Sequence, residues 1–324
     1  MLRTILTRSL LTAFLFFASF PAFAQGDLLD LLDSAVVTTP VTDYTEATFK
    51  TTRIITSRSI ETPSKGEMQF IIAHRFGRVN GGWREFFGLD QANIRLELEY
   101  GITDWLSVGW GRSNVFKQWD GFARAKFLSQ STGLRKMPIT AEFLASVAMN
   151  SGKWTNPSRE NYISSRASYV FQLMVARKFS RKFSLQVMST MVHKNLVATN
   201  EDKNDQFMVG AGGRFLLTGS FGLTAEYHYL IPGRLVSAID APITDHAFSL
   251  GFDLETGGHV FQIMATNNLG MSEHQYFTSA TSGKLAKGDI HIGFNVNRVF
   301  TLANYDKIKQ RKDAKRLKKE GGIK

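Results

Sequence analysis

Between Ala92 and Tyr100, ionisable residues stand at every second position (Arg95, Glu97, Glu99), while Ile94, Leu96, Leu98 and Tyr100 fill the positions between. A period of two puts the first set on one face of a strand and the second on the other. The spacing returns with Arg124 and Lys126 between Ala123, Ala125 and Phe127, and with Glu142 between Ala141 and Phe143. Arg214, Glu226 and Asp253 occupy comparable places further on. Opposed acids and bases facing the centre of a closed sheet can pair into a salt-bridged plug. They can equally line a narrow water-filled passage and select the solutes that cross it.

Other chemistry has thin support. His193, His228 and His246 fall at strand positions and His274 in a loop, none beside a nucleophile motif. There is no His-Glu-x-x-His or other close metal spacing. The glycines at Gly81-Gly82, Gly210 and Gly212-Gly213 precede no helix that could cradle a phosphate. We therefore expect no catalytic residue, no metal and no cofactor. For binding, the candidates are aromatic residues in outer loops: Trp83, Phe86 and Phe87 in one, Tyr276 and Phe277 in the last.

The elements that carry these residues are strands. Segments of about ten residues with alternating polarity follow one another from Glu67 to Phe300, about twelve in all. Long links are expected near 77–91, 112–118, 151–164, 198–206, 232–244 and 269–287. Short ones alternate with them at 101–104, 180–182, 218–220 and 255–258, with a moderate one near 129–137. Trp, Tyr and Phe sit beside both kinds of link, as at the two water boundaries of a membrane barrel. A soluble sandwich with this pattern would have to bury Arg95, Glu97, Glu99, Arg124, Lys126, Glu142 and Glu226 in its core, or pack its apolar faces together. The fold class is therefore all-β: an antiparallel transmembrane barrel with short periplasmic turns and long outer loops. Lipid offers no partner for backbone groups, so such a sheet has to close.

The ends of the chain read separately. Arg3 and Arg8, an apolar stretch from Leu10 to Phe20 and Ala22-Phe23-Ala24 make a secretory leader over residues 1–24, cleaved near Ala24. Residues 25–65 form a periplasmic or lumenal segment, with Leu28, Leu29, Leu31 and Leu32 suggesting a short amphipathic helix. Residues 66–300 form the barrel and 301–324 a basic periplasmic tail. The formal net charge is +11, and nine Lys or Arg lie in that tail, so the excess marks one terminus rather than a nucleic-acid surface. The tail suits a periplasmic partner or peptidoglycan carboxylates. Cysteine is absent, which excludes disulfides and thiolate metal sites.

Three stretches resemble an uncharacterised β-barrel family of Bacteroidota outer membranes. They are Thr52-Arg53-Ile54-Ile55, the run from Phe70 to Gly77, and the run from Tyr100 to Gly109. The resemblance extends from Ala47 to Phe300 and implies a barrel fold without implying an activity. The expectation is an outer-membrane barrel of a Gram-negative bacterium, a narrow channel or uptake barrel for small solutes with a charged lumen. The alternatives are a closed envelope scaffold or docking protein and, more distantly, a hydrolase. Its partners would be membrane lipid, the barrel-assembly machinery during insertion and a small solute, with no nucleic acid.

Overall fold

The computed structural model of the chain describes residues 41–154, 156–158, 160–197, 203–231, 246–276 and 283–303. The leader, the Leu28 to Leu32 segment, Phe277 and the basic tail lie outside these residues. The chain divides into two compact units, Met1–Thr42 and Asp43–Lys324, and nearly all described residues belong to the second.

Twelve strands form a closed antiparallel barrel: β1 (Glu67–Arg78), β2 (Ala92–Gly101), β3 (Leu106–Ser113), β4 (Gln118–Leu128), β5 (Thr140–Asn150), β6 (Ala167–Lys178), β7 (Phe183–Lys194), β8 (Asp205–Leu216), β9 (Phe221–Leu230), β10 (Ala247–Thr256), β11 (His259–Thr266) and β12 (His291–Thr301). Each strand pairs with its neighbours in sequence, and β12 closes on β1, with Phe300 opposite Met68 and His291 opposite Arg78. Closure removes every sheet edge, which is what a strand-built membrane span requires. The apolar face points out. Ile94, Leu96, Val108, Phe143, Phe171, Val187, Tyr227, Leu250 and Ile263 are all exposed, an inversion of a water-soluble core.

Connection lengths alternate less strictly than expected. Only four residues, 114–117, join β3 to β4, because both strands run further than the sequence pattern suggests. That turn is tight enough to force Phe116 and Lys117 to positive φ, 56° and 50°. The moderate link 129–139 carries a three-residue strand, Ser131–Gly133, at the short-turn end.

The interior holds more than side chains of the wall. The backbone of residues 45–65 enters the lumen from the short-turn end and leaves by the same end. At its start Thr45 N–H donates to the Gln130 carbonyl (2.8 Å), and at its exit Gly66 N–H donates to the Gly101 carbonyl (2.9 Å). Between them the chain doubles back: Arg53 bridges Arg58 antiparallel, with Ile54 N–H to Ser57 O (2.9 Å) and Ser59 N–H to Thr52 O (3.0 Å). Thr48 and Phe49 N–H groups share the Glu61 carboxylate at 2.7 and 3.2 Å. Thr51 to Ile60 are all buried, although they belong to no barrel strand.

Candidate functional site in the barrel lumen

The inward positions of β1 to β5 build a charged sector. Arg95 on β2 binds Asp120 on β4 through both terminal nitrogens, Nη2 to Oδ2 at 2.7 Å, and Glu97 at 2.8 Å. Arg124 on β4 lies 2.9 Å from Glu99 on β2 and 2.5 Å from Glu142 on β5. The β2 and β4 partners meet across β3, because the inward positions of successive strands share one face, and Glu97 and Asp120 both stand opposite Gly111 of β3. Gly111 on β3 makes room for them, since a Cβ there would lie 2.1 Å from the Arg95 guanidinium.

The lumenal hairpin completes this network. Arg53 reaches Glu97 at 2.6 Å, and Arg58 reaches Glu97 at 2.6 Å and Glu99 at 3.2 Å. The Arg58 guanidinium also lies over the Phe122 ring, 3.9 Å from its centroid, so it gains a π face as well as carboxylates. On the other side of the hairpin Glu226 of β9 accepts the Thr56 and Ser57 N–H groups at 3.0 and 3.2 Å and the Ser57 hydroxyl at 2.5 Å. Arg75 of β1 donates to Thr56 Oγ1 and Asn295 Oδ1 at 3.0 and 3.1 Å. Gln262 Nε2 takes up the Ile54 carbonyl at 2.8 Å.

From the long-loop end, the β11–β12 connection also turns inward. A helical turn in it, Glu273–Tyr276, is buried. Glu273 lies 3.2 Å from Arg53 and 3.0 Å from Arg58, so hairpin and loop meet through one carboxylate. Next to it, His274 is fixed by Ser146 Oγ at Nε2 and Ser168 Oγ at Nδ1, both at 2.9 Å. A serine and a histidine are thus in contact, but a hydroxyl holds the nitrogen that a carboxylate would orient in a hydrolase, and Asp120 is committed to Arg95. Among the described residues, no group of three or more His, Asp or Glu could hold a metal ion.

A second sector, β5 to β8, carries an apolar cluster on its inward face, set among uncharged polar groups such as Ser146, Gln172, Gln186 and Thr190. Leu144, Val170, Met174, Met188, Val192 and Met208 form one buried cluster with Phe49, Ile54, Ile55 and Ile60 of the hairpin. Ile54 packs directly over Gly212 of β8, where a Cβ would come within 2.6 Å of its Cδ1. Sequence reasoning missed these residues. The signal for them is a strand with apolar side chains on both faces, as in Val170-Phe171 and Leu173-Met174-Val175 of β6.

The residues singled out by charge alternation occupy the lumen as follows. Arg95, Glu97, Glu99, Arg124, Glu142, Arg214, Glu226 and Asp253 are buried, and Arg214 faces Asp253 at 3.5 Å. Lys126 is half-buried and donates to Thr62 Oγ1 at 3.2 Å. In the outer loops, Trp83 (78% accessible), Phe86 and Phe87 are exposed. Tyr276 is a correction to the loop-binding set: it is 1% accessible and meets His228 edge-on at 5.0 Å between centroids. Its loop folds into the lumen because the wall offers Ser146, Ser168, Ser249 and Gln118 as partners, whereas an outward loop would have only water. Arg53, Arg58 and Glu273 were not among the expected lumen charges, since no alternation marks a segment that is neither strand nor turn.

A family model described as a membrane-bound β-barrel domain (DUF5777) matches residues 49–300. A comparison with curated proteins finds no match. Among solved structures, an outer membrane channel from Pseudomonas putida F1 is 10% identical, with 74% of this chain and 97% of that chain covered and a TM-score of 0.46. The corresponding figures for a KdgM porin are 9%, 72%, 99% and 0.41. For LpxR from Salmonella typhimurium they are 9%, 72%, 100% and 0.34. At such distances these likenesses carry no argument about function.

Proposed function

The chain belongs to the family of membrane-bound β-barrel domains, and from that premise we propose that it is an outer-membrane channel or uptake barrel of a Gram-negative bacterium, held shut by its own N-terminal hairpin. The carrying observation is that residues 45–65 enter and leave by one end of the barrel. Such a stopper can be withdrawn as a unit, with no barrel strand broken and no chain threaded through the lumen.

The wall is suited to water once the hairpin is out. Four buried arginines (Arg75, Arg95, Arg124, Arg214), the half-buried Lys126 and six buried carboxylates (Glu97, Glu99, Asp120, Glu142, Glu226, Asp253) line it, and Glu273 adds a seventh acid. Arg53 and Arg58 of the hairpin offset that excess. Withdrawal leaves the passage anionic, which favours small cations over anions of equal size. The apolar sector opposes withdrawal. Exposing its methionines and aliphatic groups to water costs on the order of 1.5–3 kcal/mol for each fully exposed side chain, so the resting state is closed.

Planar bilayer recordings test this reading. The full chain is expected to be silent for long periods. Deletion of residues 45–62 is expected to give steady conductance, with a reversal potential in a salt gradient that reports cation preference. A correctly folded variant that carries no current when both residues 45–62 and the inward turn Glu273–Tyr276 are removed would leave the closed-scaffold reading in its place.

A further inference from the structure

At the long-loop end, inside the barrel mouth, lies a cavity of about 320 Å³ lined by residues from β4, β5, β6, β7 and the inward loop. That volume falls at the small end of the range for small-molecule sites. Its cations are Lys153, Arg166 and Lys194, and no carboxylate lies among its described lining residues. Among the described residues, no ion pair joins Lys153 or Arg166 to an acid. Arg166 donates to the Asn150 carbonyl at 2.7 Å and to the Gly152 carbonyl at 2.5 Å. Its guanidinium stacks 3.6 Å over Trp154, and these contacts hold the charge at the cavity without neutralising it. Hydroxyl and amide groups complete the lining through Ser165, Ser168, Gln118 and Asn150, with His274 also reaching it.

We propose that this cavity binds a small anion that also carries hydroxyl groups. The three cations attract the charge, and the Ser, Gln and Asn groups and the Trp154 ring read the rest of the molecule. The lining is opposite in sign to the carboxylate excess of the lumen wall, so the site serves binding at the mouth rather than passage through the centre. Ser168, Lys194 and Gln118 lie on inward faces, so the ligand is a solute entering from water and not a lipid headgroup.

The site is reached with the hairpin in place. Binding to the closed full chain therefore stands or falls independently of conduction. Calorimetric titration of the detergent-solubilised chain with glucuronate, glucose and inorganic phosphate tests it. Glucuronate is expected to bind at least about tenfold more tightly than either of the others, and more weakly as salt rises. K153Q/K194Q is expected to lose about tenfold or more in affinity for glucuronate while keeping the barrel's heat-modifiable migration. Three outcomes would each overturn the proposal: no glucuronate binding, equal binding of glucose or phosphate, or full affinity in the folded double variant.

Discussion

The two sectors of the lumen wall hold the same hairpin by different physics. In the charged sector, each contact is directional: Glu97 is shared by Arg53, Arg58 and Arg95, and removing it leaves three buried guanidinia one carboxylate short. In the apolar sector, Val170, Met174, Met188 and Met208 hold Ile54, Ile55 and Ile60 by area and shape, and small losses are absorbed by repacking. The charged sector thus fixes the register of the hairpin, and the apolar sector supplies much of the free energy that keeps it in place.

The sharpest way to break this comparison is Glu97→Ala. It leaves three guanidinia short of an acid and should destabilise the closed state by about 3–5 kcal/mol, the cost of splitting a buried pair. Hydrogen exchange at the Ile54 and Ser59 amides, which are bonded within the hairpin, should then accelerate by a factor of a hundred or more, since about 1.4 kcal/mol is tenfold. Unchanged protection at both amides would show that the charged sector does not hold the hairpin.

Ile54→Ala addresses the other sector. It removes the side chain that covers Gly212 and should cost about 2–3 kcal/mol, the lower part of the usual range because neighbouring methionines can shift into the gap. The same two amides report it, and an effect larger than that of Glu97→Ala would reverse the ranking of the sectors.

The smallest effect lies outside the lumen, in the β11–β12 connection. The Lys284 backbone N–H, Asn80 and Arg78 hold the Asp289 carboxyl below its usual range, with contacts of 2.9, 2.7 and 3.3 Å. A depressed pKa in the folded state means that this group stabilises the loop at neutral pH. The contribution is lost as pH falls through the folded value. Asp289→Asn should therefore speed exchange of the Lys284 amide at pH 7, by a few tenths of a kcal/mol given the exposure of Arg78. The wild-type chain and the variant should converge in strong acid, and a difference that persists there would contradict this account.

The barrel was legible because the period-two signal is local. Arg95, Glu97 and Glu99 declare their face through their immediate neighbours, and the closed twelve-strand architecture follows from repeating that signal. The hairpin was legible only in part: residues 25–65 read as periplasmic or lumenal, with none of their contacts marked. Arg53 meets Glu273, 220 positions away in sequence, and Arg58 meets Glu97 across 39, and neither segment carries an alternation of its own. The apolar sector escaped notice for a related reason. Val170 and Met174 break the polar rhythm of their face, and only the presence of Ile54 and Ile55 beside them explains the break.

The position of the hairpin in the chain bears on assembly. It precedes β1, while the β12–β1 junction joins the first and last strands and so can form only when the whole sheet exists. A folding intermediate can thus wrap its wall around residues 45–65 as a mandrel, pairing the inward arginines and glutamates before the cylinder is sealed in the bilayer. Because both arms exit at one rim, late insertion after sealing is also topologically permitted, and the order of the two events becomes a kinetic choice open to pulse-labelling.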